Sequence, residues 1–415
     1  MTRPPADAGP EPRALRADAR SGWPVWIGIL AVALLARLAF VVLLPANFVF
    51  SDTVDYDRMA RQILDQHTFG LLPLRAPGYP AFMALVYLVT GKSVTALRVI
   101  EAVLGTVSVA VIGALGSLLF GRRAGWIAAA IAALHPVMAF LPSAIYTENL
   151  LIFFIVLALL MAYRGLERPG RARWAAAGAL LGIALLIRPN LVAMLPGLAL
   201  GFAFAMARTG RSWIGPALAT GLALVLAVLP WTVRNHRVYG HWFFICTGGG
   251  RQFYYGNNPD ATGTTWFHPD VNPALQTELD RLPDAFERDR YLYRKGWEFI
   301  REHPAHAARL YLTELGNLWA LYPETVTRTL MNRWSRISQT LASLVIYLGA
   351  LLALRRWRAE PALWPMLLGI VTFTLANALV YSSMRYRMVF EPCLILMAGL
   401  GYDHVLRARM PRAAS

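Results

Sequence analysis

The sequence predicts an all-α polytopic membrane protein, and three observations carry that expectation. Of 415 residues 57% are hydrophobic, with a mean hydropathy of +0.45, too apolar for a chain whose whole surface meets water. The apolar residues come in runs of about 17 to 25, the length at which a helix crosses a hydrocarbon core about 30 Å thick. Arginines cluster briefly between those runs, at alternate loops. Ten runs qualify on this reading: 24–45, 94–120, 124–142, 146–164, 173–188, 190–207, 213–232, 337–354, 361–380 and 387–405.

The formal charge of +16 is spread through these clusters rather than gathered on one basic face, and no nucleic-acid motif accompanies it, so no nucleic-acid partner is expected. Its use is topological. Arg3, Arg13, Arg16 and Arg20 precede the first run, and the later clusters (Arg122 and Arg123; Arg164 to Arg173; Arg208 and Arg211; Arg355 to Arg358; Arg407 to Arg412) agree with them in parity. The positive-inside rule then puts both termini in the cytoplasm of a multi-pass cell-membrane protein. The chain divides into a tail 1–22, seven spans over 23–232 that include an outer loop 46–93, an outer segment 233–336, three spans over 337–405, and a tail 406–415. The run after the N-terminal tail is too long for a signal-peptide core, so the first span is expected to stay as an anchor. Cys246 and Cys393 indicate no disulfide framework, and His236, His241, His268, His303 and His306 show no zinc spacing. No cofactor is implied, and a divalent metal is left open.

The first outer loop concentrates the chemistry. Asp52 and Asp55 follow closely on an apolar run, where carboxylates are costly and therefore functional candidates. Tyr56, Met59, Ala60, Ile63 and Leu64 fall at helical spacing with Asp57, Arg58, Arg61 and Asp65 opposite, which predicts an amphipathic helix lying on the membrane. Ser51 or Asp52 would cap that helix and Asp55 would sit in its first turn, so spacing alone leaves both the capping and the catalytic readings open. Arg75-Ala-Pro-Gly-Tyr79-Pro80 reads as a chain reversal, with both prolines barring helix continuation and Gly78 allowing unusual backbone angles. The apolar residues 81–90 after it are too few to span and read as a re-entrant or interfacial helix.

Further along, Glu148 opens a span after Thr147, a spacing that favours a cap followed by a first-turn acid. Arg188-Pro189-Asn190 and Arg385-Tyr386-Arg387 put arginines on the outer rim, against the charge bias. Snorkelling explains any one of them; several converging on a carboxylate-bearing loop would make an anion site, because guanidinium matches phosphate oxygens in bidentate fashion. In the outer segment, Thr247 to Pro259 is rich in Gly, Asn and aromatics and reads as loops, whose glycine triplet, without a following helix, is weak evidence for phosphate. A helical pattern runs from about Asp284 to Tyr322 with a break at His303-Pro304.

Taken in order, Ser51-Asp52-Thr-Val-Asp55-Tyr56, Arg75 to Pro80, Tyr146-Thr-Glu148-Asn149, Arg188-Pro189, Gly256-Asn257-Asn258-Pro259, Arg301 to Pro304 and Arg385-Tyr-Arg387 resemble the GT-C superfamily of polyprenyl-phosphate-sugar-dependent glycosyltransferases, especially its protein mannosyltransferase and aminoarabinose transferase families. The resemblance covers most of the chain. It implies a GT-C-like bundle of about ten transmembrane helices with outer-face amphipathic helices and a small mixed extracytoplasmic segment. It also implies a sugar donor on a lipid phosphate carrier, membrane lipids as partners, and an outer-loop aspartate as base: Asp52, with Asp55 beside it. Arg75, Arg188, Arg385 and Arg387 are then expected at the carrier phosphate, with Tyr56, Tyr79, Glu148, Asn149, Asn257 and Asn258 in support. The sequence departs from the family in Met388-Val-Phe-Glu391-Pro392, where relatives often have proline soon after Arg-Tyr-Arg, and in its short outer segment. A lipid or solute transporter would share the spans and rim arginines, but no matched pair of interrupted spans supports it. A non-catalytic scaffold would tolerate loss of both Asp52 and Asp55.

Overall fold

The computed structural model describes residues 22–44, 51–70, 73–168, 170–263, 272–322 and 333–408. The arginines of the N-terminal tail, His268, Arg409 and Arg412 lie outside them. Among the described residues the chain is helical and without strands.

Helix α1 (Trp23–Leu43) has proline in its first turn, where a missing N–H costs nothing. The amphipathic α2 (Ser51–Gln66) and the short apolar α3 (Gly78–Thr90) pack against each other. Three bonds hold the pair: Tyr87 donates to Asp57 at 2.6 Å, and Lys92 Nζ donates to both oxygens of Asp65 at 2.6 and 2.9 Å. The expected reversal at Arg75 to Pro80 takes a different form. Pro80 falls in the first turn of α3, where it is tolerated, and Gly78 has no left-handed backbone; a Cβ there would meet Ile187 and the backbone of Leu186 at 2.9 Å. Gly78 thus serves close packing rather than an unusual turn.

Helix α4 (Val94–Phe120) starts at Ser93, whose hydroxyl accepts from Ala96 N at 3.2 Å. Helices α5 (Arg122–Leu134) and α6 (Pro136–Ala144) form one path bent by 51° at His135-Pro136, where proline removes the continuing N–H. Then come α7 (Thr147–Glu167), α8 (Arg171–Ile187), a 3₁₀ turn over Pro189–Met194 that runs into α9 (Leu195–Ala207), and α10 (Ile214–Tyr239). Small residues let α8 and α10 approach: a Cβ on Gly182 would lie 2.9 Å from the Leu224 carbonyl. Leu218, Leu222, Leu226 and Leu229 of α10 face outward, as lipid-facing side chains do.

The outer segment, expected to be mixed, holds four helices and no strand among its described residues: α11 (Gly249–Gly256), α12 (Pro273–Asp280), α13 (Ala285–Glu302) and α14 (Pro304–Leu318). Residues 249–256, expected as loop, are helical because the Gly-rich start is capped from outside, as described below. The break at His303-Pro304 is where the sequence put it. Helix α15 (Arg333–Leu354), α16 (Leu363–Asn377), a second 3₁₀ turn (Met384–Val389) and α17 (Glu391–Ala408) complete the bundle.

Among the described residues six helical stretches, α1, α4, α7, 189–207, α10 and α15, are long and apolar enough to cross a membrane, or seven with the bent α5–α6 path. The expected count of ten is not confirmed. The other three runs form helices, but α8 has 17 residues, α16 has 15, and α17 carries Glu391, Asp403 and Arg407 within its 18. One large core runs through the bundle, with Tyr79, Met83, Leu151, Ile155, Phe373 and Phe390 fully or almost fully buried.

Candidate active site

Three acids and three arginines from distant parts of the chain meet at one end of the bundle. Asp52 and Asp55 stand one turn apart on α2, whose apolar face, Tyr56, Met59 and Ala60, is buried. Arg75 precedes α3, on a turn fixed from outside: Thr247 donates to the Pro73 carbonyl through its N–H at 2.7 Å and its hydroxyl at 3.2 Å. Glu148 lies in the first turn of α7, Arg188 where α8 gives way to the first 3₁₀ turn, and Arg385 in the second 3₁₀ turn.

Arg75 Nη2 donates to Asp52 Oδ1 at 2.9 Å and to Asp55 Oδ2 at 3.0 Å. Arg385 Nη1 donates to Asp52 Oδ2 at 3.0 Å, while its Nε and Nη2 reach the two oxygens of Glu148, the latter at 3.3 Å. Arg188 pairs with Glu148 through Nη1, which also donates to Thr147 Oγ1 at 3.2 Å. Arg385 thus bridges two carboxylates 96 residues apart in sequence, one of them fully buried and the other 26% exposed. Burial would push the Asp52 carboxyl up, but the Arg385 and Arg75 guanidiniums outweigh it and hold the group below the usual aspartate range. Burial, with Asp52 nearby, pushes the Tyr56 hydroxyl up to about 12.

Aromatic faces complete the cluster. The Arg385 guanidinium lies 3.8 Å from the Tyr146 ring centroid, Arg188 is 4.9 Å from Tyr386, and Arg75 is 5.6 Å from Tyr56. Tyr146 and Tyr386 had no signal beyond their position beside Glu148 and Arg385. Glu148 does lie in the first turn of α7, but Thr147 is not its cap. The N-cap of α7 is Tyr146, and Thr147 donates its hydroxyl to Glu148 at 3.1 Å.

The other expected residues stand apart. Tyr79 packs edge-on against Tyr56 at 5.3 Å and donates to Glu101 at 2.9 Å; Asn149 donates to the Glu101 carboxylate and, at 2.9 Å, to its carbonyl. Both support the floor beneath Asp52 and Glu148. Asn257 donates to the carbonyls of Phe253 and Leu379 at 2.9 and 2.8 Å, and Asn258 donates to Tyr254 and accepts from Asp260 N, so this pair closes a turn. Arg387 is fully buried elsewhere. Its Nε donates to Glu391 at 2.6 Å, its Nη1 to the Ala320 carbonyl at 2.9 Å, and its Nη2 to Ser343 at 3.2 Å; Glu391 also meets His135 at 3.2 Å. None of those partners belongs to the cluster around Asp52, so Arg387 is directed away from it. The glycine triplet is also occupied from within, since Asp289 Oδ1 accepts from Gly248 N and Gly250 N at 2.8 Å each. That carboxylate caps α11 and takes the place an anion would have at the triplet.

Among the described residues no three of His, Cys, Asp and Glu are placed to hold a metal ion; the acids of the cluster face guanidinium groups instead.

Residues 74–233 match the family model described as dolichyl-phosphate-mannose-protein mannosyltransferase, a stretch that holds Arg75, Glu148 and Arg188. No curated protein matches the sequence. Among solved structures, the Archaeoglobus fulgidus oligosaccharyltransferase complex with Zn and sulfate is 16% identical at a TM-score of 0.54, over 92% of this chain and 49% of that one. The oligosaccharyltransferase AglB of the same organism, in complex with an inhibitory peptide and a dolichol-phosphate, is 15% identical at 0.50, over 95% and 53%. The ArnT of Cupriavidus metallidurans bound to undecaprenyl phosphate is 15% identical over 92% and 79%, at a TM-score of 0.47 too low to carry weight. The chain spans about half the length of the oligosaccharyltransferases it matches. It has the fold of the GT-C glycosyltransferases, which are membrane proteins.

Proposed function

We propose that this chain is a glycosyltransferase that moves a sugar from a polyprenyl-phosphate carrier to an acceptor hydroxyl, on a lipid, glycan or protein, at the extracytoplasmic face, with Asp52 as general base. The observation that carries the reading is the Arg385 bridge between Asp52 and Glu148, closed by Arg75 and Arg188. The fold and the mannosyltransferase similarity make a lipid-phosphate donor the natural partner, and the AglB structure holds a dolichol-phosphate.

The chemistry follows from charge. Asp52, Asp55 and Glu148 are balanced by Arg75, Arg188 and Arg385, so a carrier phosphate arrives as one negative charge in excess and competes for the guanidiniums. Arg385 and Arg75 then turn toward the phosphate and loosen their hold on Asp52, whose basicity rises toward its ordinary value. Donor binding and base activation become one event. The acceptor oxygen attacks the anomeric carbon, its proton passes to Asp52, and the bond from that carbon to the phosphate oxygen breaks with its electron pair left on phosphate. Charge grows on the leaving phosphate, where fixed guanidiniums lower the barrier. Glu148, paired with Arg188, keeps that arginine aimed while Arg385 shifts.

The test is transfer by the purified protein from a panel of labelled polyprenyl-phosphate sugars. Asp52→Asn is expected to keep donor binding and to lose roughly 10² to 10⁴-fold in transfer, the scale of a lost general base. Asp55→Asn is expected to lose less, because Asp55 reaches Arg75 but not Arg385. Unchanged transfer by Asp52→Asn would remove the base assignment, and a larger loss in Asp55→Asn would move it there.

A further inference from the structure

The side chain of Arg75 is held by Asp52 and Asp55, but the course of its backbone is set from the last turns of α10. Among its described residues the link 67–77, between α2 and α3, contains no helix, so contacts from other elements decide where it runs. Helix α10 passes from its outward-facing leucines to Trp231, Arg234 and Tyr239, none of which the proposed reaction uses.

Arg234 reaches a residue 164 positions earlier: its Nη2 donates to the Gly70 carbonyl at 3.3 Å. Tyr239 donates its hydroxyl to the same carbonyl at 3.4 Å and accepts from Arg234 Nη1 at 3.0 Å. The guanidinium lies over two rings, 4.8 Å from the Trp231 centroid and 5.2 Å from that of Tyr239. Phe69, the neighbour of Gly70, meets Trp231 edge-on at 4.8 Å. The same helix end also holds the start of the outer segment. Trp231 Nε1 and the buried Asn235 donate to the Ile245 carbonyl at 2.7 and 3.0 Å, and Thr232 donates to that of Phe244 at 2.7 Å. Two residues on, Thr247 makes its paired bonds to the Pro73 carbonyl. The loop before Arg75 is thus held at Gly70 directly and at Pro73 through Thr247.

We propose that Arg234 is a positioning residue for Arg75: by fixing the Gly70 carbonyl it sets the path of the loop, and with it the reach of the Arg75 guanidinium toward the carrier phosphate. The inference rests on the donor reading given above. Arg234 touches neither donor nor acceptor and acts through the backbone of the loop. A guanidinium suits this work because its planar fork holds Gly70 and Tyr239 with separate nitrogens while its face rests on the rings; lysine has one nitrogen and no such face. The other end of the loop is fixed independently, where Gly78 packs on the Leu186 backbone. Loss of Arg234 therefore frees the stretch before Arg75 while α3 stays in place.

The experiment titrates the purified full-length protein in mild detergent with a short-chain polyprenyl phosphate, by calorimetry, for the unsubstituted chain, Arg234→Gln, Arg75→Gln and the double variant. Arg234→Gln is expected to weaken binding roughly tenfold, the scale of one hydrogen bond to a charged group. Arg234→Lys, which keeps one donor for Gly70, is expected to recover part of that loss. In the Arg75→Gln background the change at Arg234 is expected to cost less than about twofold, because a residue that acts through Arg75 then has nothing to act on. Tyr239→Phe keeps the ring and loses the hydroxyl; it is expected to weaken binding by less, again only when Arg75 is present, and it supplies the same comparison if Arg234→Gln does not fold. A loss of equal size in both backgrounds means that Arg234 works independently of Arg75 and overturns the inference. Unchanged binding by Arg234→Gln, with or without a lowered melting temperature, overturns it as well and leaves the donor reading intact so long as Arg75→Gln binds weakly. Unchanged binding by Arg75→Gln overturns the role of Arg75 at the donor, and the inference with it.

Discussion

At the residue scale, Arg385 and Arg387 show how two arginines with the same sequence credentials acquire different work. Both lie on one 3₁₀ turn, yet Arg385 opens toward Asp52 and Glu148 while Arg387 points into the core against Glu391 and Ser343. Removing one partner of a fully buried ion pair leaves the other uncompensated, at about 3–5 kcal/mol. Arg387→Ala should therefore lower the unfolding midpoint markedly. Arg385→Ala should stay folded and lose roughly 10²-fold or more in transfer, with only partial rescue by Arg385→Lys, since lysine lacks the planar fork. The reverse pattern, a stable but inactive Arg387→Ala, would return the phosphate role to Arg387. The sequence made the cluster legible because Asp52, Glu148, Arg188 and Arg385 each stand where a membrane protein has reason to avoid charge. It could not separate Arg385 from Arg387, because a two-residue shift on a 3₁₀ turn carries no hydropathy signal. Buried Glu101 was readable as an acid inside an apolar run, but its partners Tyr79 and Asn149 come from other helices and needed the fold.

At the scale of elements, the turn carrying Arg385 is held by a helix of the outer segment. Glu314 of α14 is almost fully buried and accepts from Ser382 N at 2.8 Å and Asn317 Nδ2 at 3.2 Å, and Ser382 lies three residues before Arg385. Burial, partly offset by these two donors, pushes the Glu314 carboxyl up to about 7. A raised carboxyl pKa means that the fold favours the protonated form. The stability this gives is complete below the ordinary glutamate range and is lost as pH rises through about 7. The melting temperature should therefore fall between pH 5.5 and 8, and Glu314→Gln, which cannot ionise, should show a shallower fall. Identical slopes would mean that Glu314 does not titrate in this window. The helical period of α14 and its break at Pro304 were visible in the sequence, whereas the burial of Glu314 against the Ser382 backbone depends on a contact 68 residues away.

At the scale of the whole molecule, the charge bias is the ground for the proposed orientation. The arginine clusters after α4, α7, α9 and α15 lie at the end of the bundle away from Asp52, and the loops bearing Asp52, Arg75, Arg188 and Arg385 lie at the other. The positive-inside rule turns that segregation into an expected orientation, which requires that the short α8 also crosses. Three of the ten expected spans are not confirmed by length and composition, for a physical reason. Hydropathy rewards apolar runs, but α16 is too short to cross alone, and α17 keeps Glu391 and Asp403 buried by pairing them with Arg387, Arg123 and Arg407. Orientation can be tested with impermeant thiol labelling in intact cells or right-side-out vesicles, after Cys246 and Cys393 are replaced by serine and alanine. Pro259, exposed in the turn closed by Asn258, and Gly170, exposed between α7 and α8, stand on opposite sides in this arrangement. Pro259→Cys should react from outside, and Gly170→Cys should react only after the membrane is opened. The reverse pattern would put Asp52 and the arginines in the cytoplasm, where a donor on the extracytoplasmic leaflet could not reach them.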